Sequence, residues 1–253
     1  MTDAAVVDAL ANEPLFTLGQ LPASSNGSLL VSVGREWTGD GDDTIAMSDL
    51  YSDDLMLAVY KPELGERPLW DFPPGLWRRE FAAFRLSELL GWNLVPPTVV
   101  RDDVVAGVGS VQQFVNADFS QHYFSLIEAE RFSDRLRQLA VFDLAANNTD
   151  RKAGHVLATK DEQLFAIDNG LCFSAEPKLR TVIWEFGGEP IEDTWRADLT
   201  RVADGFDEVR QEFEGMLGAD DTLMLERRLR AVAVLDTLPN VPEDRRPYPW
   251  PLI

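Results

Sequence analysis

The chain is poor in the residues that build covalent or metal cross-links. Its 253 residues contain one cysteine, Cys172, which excludes an internal disulfide. With only two histidines besides, a structural zinc site has too few soft donors. Positive charge is scarce as well. Lys and Arg number 23 against 43 Asp and Glu, a formal net charge of −20. That surface lacks the basic footprint of a phosphate-backbone reader, so no nucleic acid partner is expected. Nor is it drawn freely to anionic lipid. No apolar run approaches the ~20 residues of a membrane span, so no integral membrane segment is expected. The opening MTDAAVVDALANEP has neither a basic region nor a long apolar core. No signal peptide is visible there, and a cytoplasmic location is expected. The rest, 45% hydrophobic and 26% charged, is ordinary globular composition. The length suits one bilobed domain or two small ones.

What the chain does contain is concentrated between Phe142 and Phe173, FDLAANNTDRKAGHVLATKDEQLFAIDNGLCF. Asn147-Asn148-Thr149-Asp150-Arg151 and His155 form its first piece, Ile167-Asp168-Asn169-Gly170 its second. Asp150 and His155 lie five apart, the spacing of Asp and Asn in a catalytic loop H-R-D-x-x-x-x-N. Asp168 falls where such a loop is followed by a metal-holding Asp, after a short hairpin and an apolar run. The hairpin is expected at Val156–Leu157, Lys160–Asp161 and Leu164–Ile167. It would bring both carboxylates to one cleft. Phosphoryl transfer asks for that pair: one carboxylate orients the acceptor hydroxyl, the other holds the ion that bridges the phosphates.

These residues carry a resemblance. Asn148-Thr149-Asp150-Arg151 (NTDR), followed by Ile167-Asp168-Asn169-Gly170 (IDNG), Leu171 and Phe173, resembles the catalytic and metal segments of type II phosphatidylinositol 4-kinases. More broadly it resembles the phosphatidylinositol 3- and 4-kinase superfamily, an atypical branch of the kinase fold. The whole chain is similar to an actinobacterial family assigned to that superfamily. Val59-Tyr60-Lys61-Pro62, Gly65 to Pro73 (GERPLWDFP) and Gly91 to Thr98 (GWNLVPPT) carry that likeness, which covers most of residues 15–190. The resemblance implies an α+β, bilobed, atypical kinase-like fold with a small β-rich N-lobe and a mostly helical C-lobe. A single domain over 1–253 would divide into an N-lobe to about 115, a C-lobe over about 116–238 and a proline-rich tail, 239–253. It also implies an ATP-dependent phosphotransferase using Mg²⁺ or Mn²⁺, with Asp150 and Lys61 catalytic and Asp168 on the metal.

The remaining parts follow in order. Leu15–Leu21 and Leu29–Val33 read as strands joined by a turn over Pro22–Ser28. Ser24, Ser25 and Asn26 at its tip are candidates to cover nucleotide phosphates with N–H groups and hydroxyls, although alone they are an ordinary turn. Residues 34–54 are acidic but lack the ladder of a calcium loop, and read as solvated. Leu55–Tyr60 is an apolar strand ending in Lys61. Such a lysine either snorkels into water or holds the α- and β-phosphates, which demands a carboxylate on the next helix. That helix is expected over Trp77–Leu90, closed by Gly91. It offers Glu80 and Glu88; spacing leaves the choice open and the resemblance selects Glu80. Val95–Val100 and Gly109–Val115 read as strands. The second leads out of the small lobe, which makes Gln113, Phe114 and Val115 hinge candidates for adenine.

Ser133 and Asp134 open a helix that delivers the chain to Asn147, with Asp143 on it as a cap or ion-pair partner. Residues 171–188 occupy the activation-loop position. There Lys178 and Arg180 are candidate contacts to a phosphorylated substrate, or partners of neighbouring carboxylates. Helical spacing from Leu199 to Leu235, broken near Gly205 and Gly218, reads as large-lobe core, with Asp220 or Asp221 as a cap. The tail is expected to lie extended on the surface, anchored by Tyr248 and Trp250.

Two positions depart from the family pattern. His155 stands where the lipid kinases carry an Asn that helps hold the metal. Its imidazole would ligate, preferring softer ions than magnesium, or orient Asp150, or contact phosphate. Asn147 or Asn148 is the alternative metal contact. Lys152 stands where some members have His, and would neutralise the transferring phosphate. The acceptor stays open among an inositol-type small molecule, a lipid headgroup and a protein side chain. Two other readings compete. One is a nucleotide-binding, pseudokinase-like module acting through protein partners, which the change at His155 favours. The other is a structural interaction domain, which the ordered coincidence of Lys61, Glu80, Asp150 and Asp168 disfavours.

Overall fold

Strands β1 (Leu15–Gln20), β2 (Leu29–Val33), β3 (Leu57–Pro62), β4 (Thr98–Arg101) and β5 (Gly109–Gln113) make one antiparallel sheet, ordered β1-β2-β3-β5-β4. The computed structural model describes residues 4–21, 27–37, 55–104 and 106–253. The expected turn carrying Ser24, Ser25 and Asn26 lies outside the described residues. Central β3 pairs with β2 on one side and β5 on the other. Its Ala58 and Tyr60 join Val31, Val33, Val99 and Val111 in a core that Leu10 of α1 (Ala4–Asn12) completes. The two-residue strand period then turns Lys61 to the opposite face. Gly109 lies in β5 beside it, where a Cβ would strike the Lys61 carbonyl and the Tyr60 ring. A larger residue there would push the two strands apart.

Helix α2 (Leu76–Leu90) follows the loop after β3. Its N-terminus is capped from outside the helix. Glu66 accepts from the Gly75 N–H at 2.8 Å and the Trp77 N–H at 3.0 Å, a carboxylate at the positive end of the helix. Gly91 ends it with φ 74°. Ala82, Ala83, Phe84, Leu86 and Leu90 belong to the main helical core, not to the sheet's core. The second half of the chain builds that core with α3 (Tyr123–Leu126), α4 (Ser133–Ala146), the hairpin β6 (Val156–Ala158) and β7 (Leu164–Ala166), α5 (Asp193–Asp204), α6 (Phe206–Leu217) and α7 (Ala219–Ala233). Arg79 pairs with Asp221 of α7 at 2.6 Å, and Arg85 with Glu212 of α6 at 2.7 Å. The helix that carries Glu80 is therefore anchored in the helical body. The whole is a bilobed α+β kinase-like fold.

Three expectations need correction. Helix α5 begins at Asp193, ahead of Leu199; Trp195, half-buried against the helical core and four positions before Leu199, carries the apolar spacing one turn further back. Helix α7 is capped at Gly218, and Asp221 instead accepts from the Ala175 N–H at 2.7 Å while it pairs with Arg79. In the tail, Trp250 is 77% exposed and Tyr248 41%. Buried Pro249 and two main-chain carbonyls hold that segment: Pro247 accepts from the Thr181 N–H at 3.0 Å, Leu252 from the Ala153 N–H at 2.8 Å. Proline supplies no N–H, so a proline-rich segment docks through its carbonyls. No helix among the described residues is long and apolar enough to cross a membrane.

Candidate active site

The cleft between sheet and helical body is organised by Lys61. Its ammonium pairs with Glu80 and lies 3.1 Å from Asp168 Oδ1. Glu80 also accepts from the Asn169 N–H at 2.9 Å, which ties α2 to the segment carrying Asp168. Burial raises the Glu80 pKa, with Lys61 opposing it. Burial works against the Lys61 ammonium too, but the Asp168 and Glu80 carboxylates outweigh it and lift its pKa. Lys61 in turn drives the Asp168 pKa down, against desolvation. The Asp168 side chain keeps 47% of its surface open, so water screens part of that coupling. Glu88, the alternative on α2, pairs with Arg85 instead.

Helix α4 delivers the other half. It ends at Asn147 in the left-handed region, φ 49°, a conformation asparagine tolerates. The Asn147 amide donates to the carbonyls of Ser174 and Glu176 at 2.9 and 2.7 Å. Asn148 accepts from the Asp150 N–H at 2.9 Å and donates to Asp143 at 3.2 Å. Asn147 thus ties the loop to the segment after Asp168, while Asn148 is engaged within the loop and with α4. Asp150 pairs with Lys152 at 2.9 Å. Burial raises the Asp150 pKa, with Lys152 opposing. His155 places Nε2 3.3 Å from Asp168 Oδ2, while its Nδ1 accepts from the Lys152 N–H at 3.4 Å. An accepting Nδ1 leaves the proton on Nε2, facing Asp168. Burial lowers the imidazole pKa to about 4, so it is neutral near pH 7.

Beneath the cleft lies a brace. Arg151 and Asp143, both side chains 0% exposed, pair at 3.0 Å. Arg151 also donates to the Ile167 carbonyl at 2.7 Å and the Asn169 side chain at 2.6 Å. It thereby holds both neighbours of Asp168, whose φ of 56° is uncommon for a residue with a Cβ. In the sequence Asn169 stands within IDNG and Glu66 within GERPLWDFP with no role assigned to either, Asp221 reads as a helix cap, and only the NTDR motif points at Arg151. Their partners are distant along the chain, so no local spacing marks them.

Gln113 is the last residue of β5, and the Phe114 N–H donates to Leu57 O at 2.9 Å. Val115, Ala117 and Leu157 form a separate small apolar cluster with Phe165 and Ile167, between the exit of β5 and the hairpin. A cavity of about 230 Å³ is lined by Lys61, Glu80, Asp150, Lys152 and Asp168, with Arg67 from the loop before α2. A larger cavity of about 360 Å³ beside it, under residues 63–76, includes none of Lys61, Asp150 and Asp168, so the chemistry points to the smaller one. Lys178 lies outside both; it sits 3.3 Å from Asp71 Oδ2 and 4.8 Å over the Phe72 ring. Arg180 joins its backbone to Asn148 and Arg151, and its charge is among those that pull against the raised Asp150 pKa. Among the described residues no three His, Cys, Asp or Glu side chains gather as a metal-binding group.

No protein-family model matches the chain. It is 34% identical to Protein Rv2133c of Mycobacterium tuberculosis, over 96% of this chain and 93% of that protein. The solved structure of hydra Fam20 with sugar aligns over 90% of this chain and 86% of that one, with a TM-score of 0.52 at 15% identity. The Helicobacter pylori proinflammatory kinase CtkA aligns over 90% and 94%, with a TM-score of 0.49 at 12% identity. At such identity the likeness to the Fam20 structure is one of fold.

Proposed function

The chain belongs to the family of Protein Rv2133c, and for it we propose ATP-dependent phosphotransfer to a hydroxyl, of the phosphatidylinositol 3-/4-kinase-like kind. One observation carries this: Lys61 bridges Glu80 and Asp168 in the cavity that also holds Asp150 and Lys152. Adenine would lie near the end of β5, at Gln113, Phe114 and Val115, against the small apolar cluster of Val115, Ala117, Leu157 and Ile167. Lys61 would keep Glu80 and turn from Asp168 to the phosphate oxygens. Asp150 would orient the acceptor hydroxyl and take its proton, which its raised pKa favours. The acceptor oxygen bonds to the γ-phosphorus as the bond to the β,γ-bridging oxygen breaks, and ADP leaves with that electron pair. Lys152 would hold the Asp150 carboxylate in place and face the charge of the transferring group.

A divalent cation fits the donor set in part. Asp168 would hold it, and His155 would join through Nε2 once the ring proton moves to Nδ1 and the contact with the Lys152 N–H is given up, leaving the ion's other positions to water and phosphate oxygens, as Mg²⁺ sites commonly do. Bound there, it would offset the negative charge of the phosphates. The imidazole suits Mn²⁺ better than Mg²⁺. Ser24, Ser25 and Asn26 remain the proposed phosphate cover and Arg180 a proposed substrate contact. The acceptor is a small molecule, a lipid headgroup or a protein.

A second reading, a nucleotide-binding module without transfer, draws on one feature: both Asp168 oxygens already have partners, Lys61 and His155. Calorimetric titration with ATP, with and without Mg²⁺ or Mn²⁺, followed by release of labelled γ-phosphate, separates the two. Binding with release supports transfer, binding alone supports the module, and no binding removes both.

A further inference from the structure

Residues 236–252 run back along the segment that follows Asp168. The Ile191 N–H donates to Asp236 O, the Leu238 N–H to Glu189 O and the Gly188 N–H to Leu238 O, each at 2.9 Å. Farther on, Pro247 O accepts from the Thr181 N–H at 3.0 Å and from the Trp184 indole at 3.1 Å. The path ends on the catalytic loop itself, where Leu252 O accepts from the Ala153 N–H at 2.8 Å.

The two landing points are not arbitrary. Thr181 is 2% exposed; its hydroxyl donates to Asp143 at 3.1 Å and its backbone bridges to Arg151, the residue that holds both neighbours of Asp168. Ala153 is 0% exposed and stands between Lys152, on Asp150, and His155, on Asp168. The segment thus covers one peptide group behind each of the two carboxylates. Its prolines, Pro239, Pro242, Pro247, Pro249 and Pro251, limit the conformations open to it when free, which lowers the entropy lost on docking.

We propose that residues 247–252 are a positioning strap: by capping the Ala153 and Thr181 amides they hold the catalytic loop in register with the Asp168 segment. The inference rests on the phosphotransfer reading for its rate effects and on the geometry alone for its local effects. The strap touches no reacting group, so it acts on turnover through the loop and not on nucleotide affinity.

The test deletes residues 247–253 from the full chain, with Trp184→Phe as a milder variant that removes only the indole donor. For the deletion, kcat falls about ten-fold or more, since a misplacement near 1 Å can cost ~10²-fold. KM for ATP and Tm stay near wild type, and a synthetic peptide of residues 247–253 restores part of the rate. Trp184→Phe loses about three-fold, the scale of one neutral hydrogen bond. Unchanged or raised kcat in the deletion overturns the proposal, the latter meaning that the segment obstructs the acceptor. A fall in kcat accompanied by loss of Tm and ATP affinity, without peptide rescue, also overturns it and leaves only structural support. Amide hydrogen exchange needs no activity: protection at Ala153 and Thr181 must drop in the deletion while α2 keeps its own. Unchanged protection there defeats the strap whatever the turnover, whereas local loss in a chain with no transfer at all removes the phosphotransfer reading and keeps the strap's contact.

Discussion

Lys61 shares one ammonium between two carboxylates of unlike character. Glu80 is almost fully enclosed and held by a backbone N–H, while Asp168 is half open. A polyphosphate therefore competes with the exposed partner and leaves the buried one in place. Replacing Lys61 by Ala is expected to weaken ATP binding about ten- to hundred-fold, because a hydrogen bond to a charged group contributes ~1.5–3 kcal/mol. Calorimetry would read this, with circular dichroism showing a native fold; equal affinity would remove Lys61 from the nucleotide site. His155 gives a prediction of a different kind. Burial lowers its pKa to about 4 from an ordinary 6.5. Between those values the unfolded chain binds a proton that the native imidazole does not. Stability from this group is therefore full above about pH 6.5 and is lost as pH falls towards 4. The effect is at most about 3 kcal/mol. Melting curves from pH 7 to 4 should fall less steeply for His155→Asn than for wild type, and parallel slopes would contradict a neutral buried ring.

At the scale of elements, the loop after α4 and the segment after β7 are joined by the Asp143–Arg151 brace. Asp143→Ala would strand a guanidinium that is 0% exposed. Breaking one side of a buried pair costs about 3–5 kcal/mol, while replacing both sides with apolar groups costs far less. Urea denaturation should show Asp143→Ala strongly destabilised and Asp143→Leu with Arg151→Met closer to wild type; a single variant as stable as the double would contradict the brace. Much of this level was legible in the sequence. β3 shows as an apolar run, α2 as an apolar stripe closed by Gly91, and the hairpin as two short apolar pieces around Lys160 and Asp161. Each signal is local, because period and turn chemistry are local. What stayed hidden depends on residues far apart: Glu66 capping α2, Asp221 receiving Arg79, and the docking of α2 on α6 and α7. The exposed aromatics of the tail misled for a related reason. A ring suggests an anchor, yet here the carbonyls of Pro247 and Leu252 do the holding.

Taken as a whole, the molecule joins a sheet that carries Lys61 to a helical body that carries Glu80, Asp150 and Asp168. The meeting of Lys61, Glu80 and Asp168 in one cleft agrees with the order expected along the chain, although no local spacing joins residues so far apart. The acceptor was not foretold. Nothing local to NTDR or IDNG encodes it, and a net charge of −20 does not choose among the candidate acceptors. In the proposed mechanism the two aspartates divide the work, Asp168 in nucleotide and metal binding and Asp150 in transfer. The most direct measurement follows ATP labelled at its γ-phosphate, with Mn²⁺ or Mg²⁺, through wild type, Asp150→Asn and Asp168→Asn, beside a binding titration of each. With the work so divided, wild type releases label, Asp150→Asn loses release but keeps its ATP affinity, and Asp168→Asn loses metal-dependent binding. Equal release from wild type and Asp150→Asn, or binding lost alike in both variants, would contradict that division.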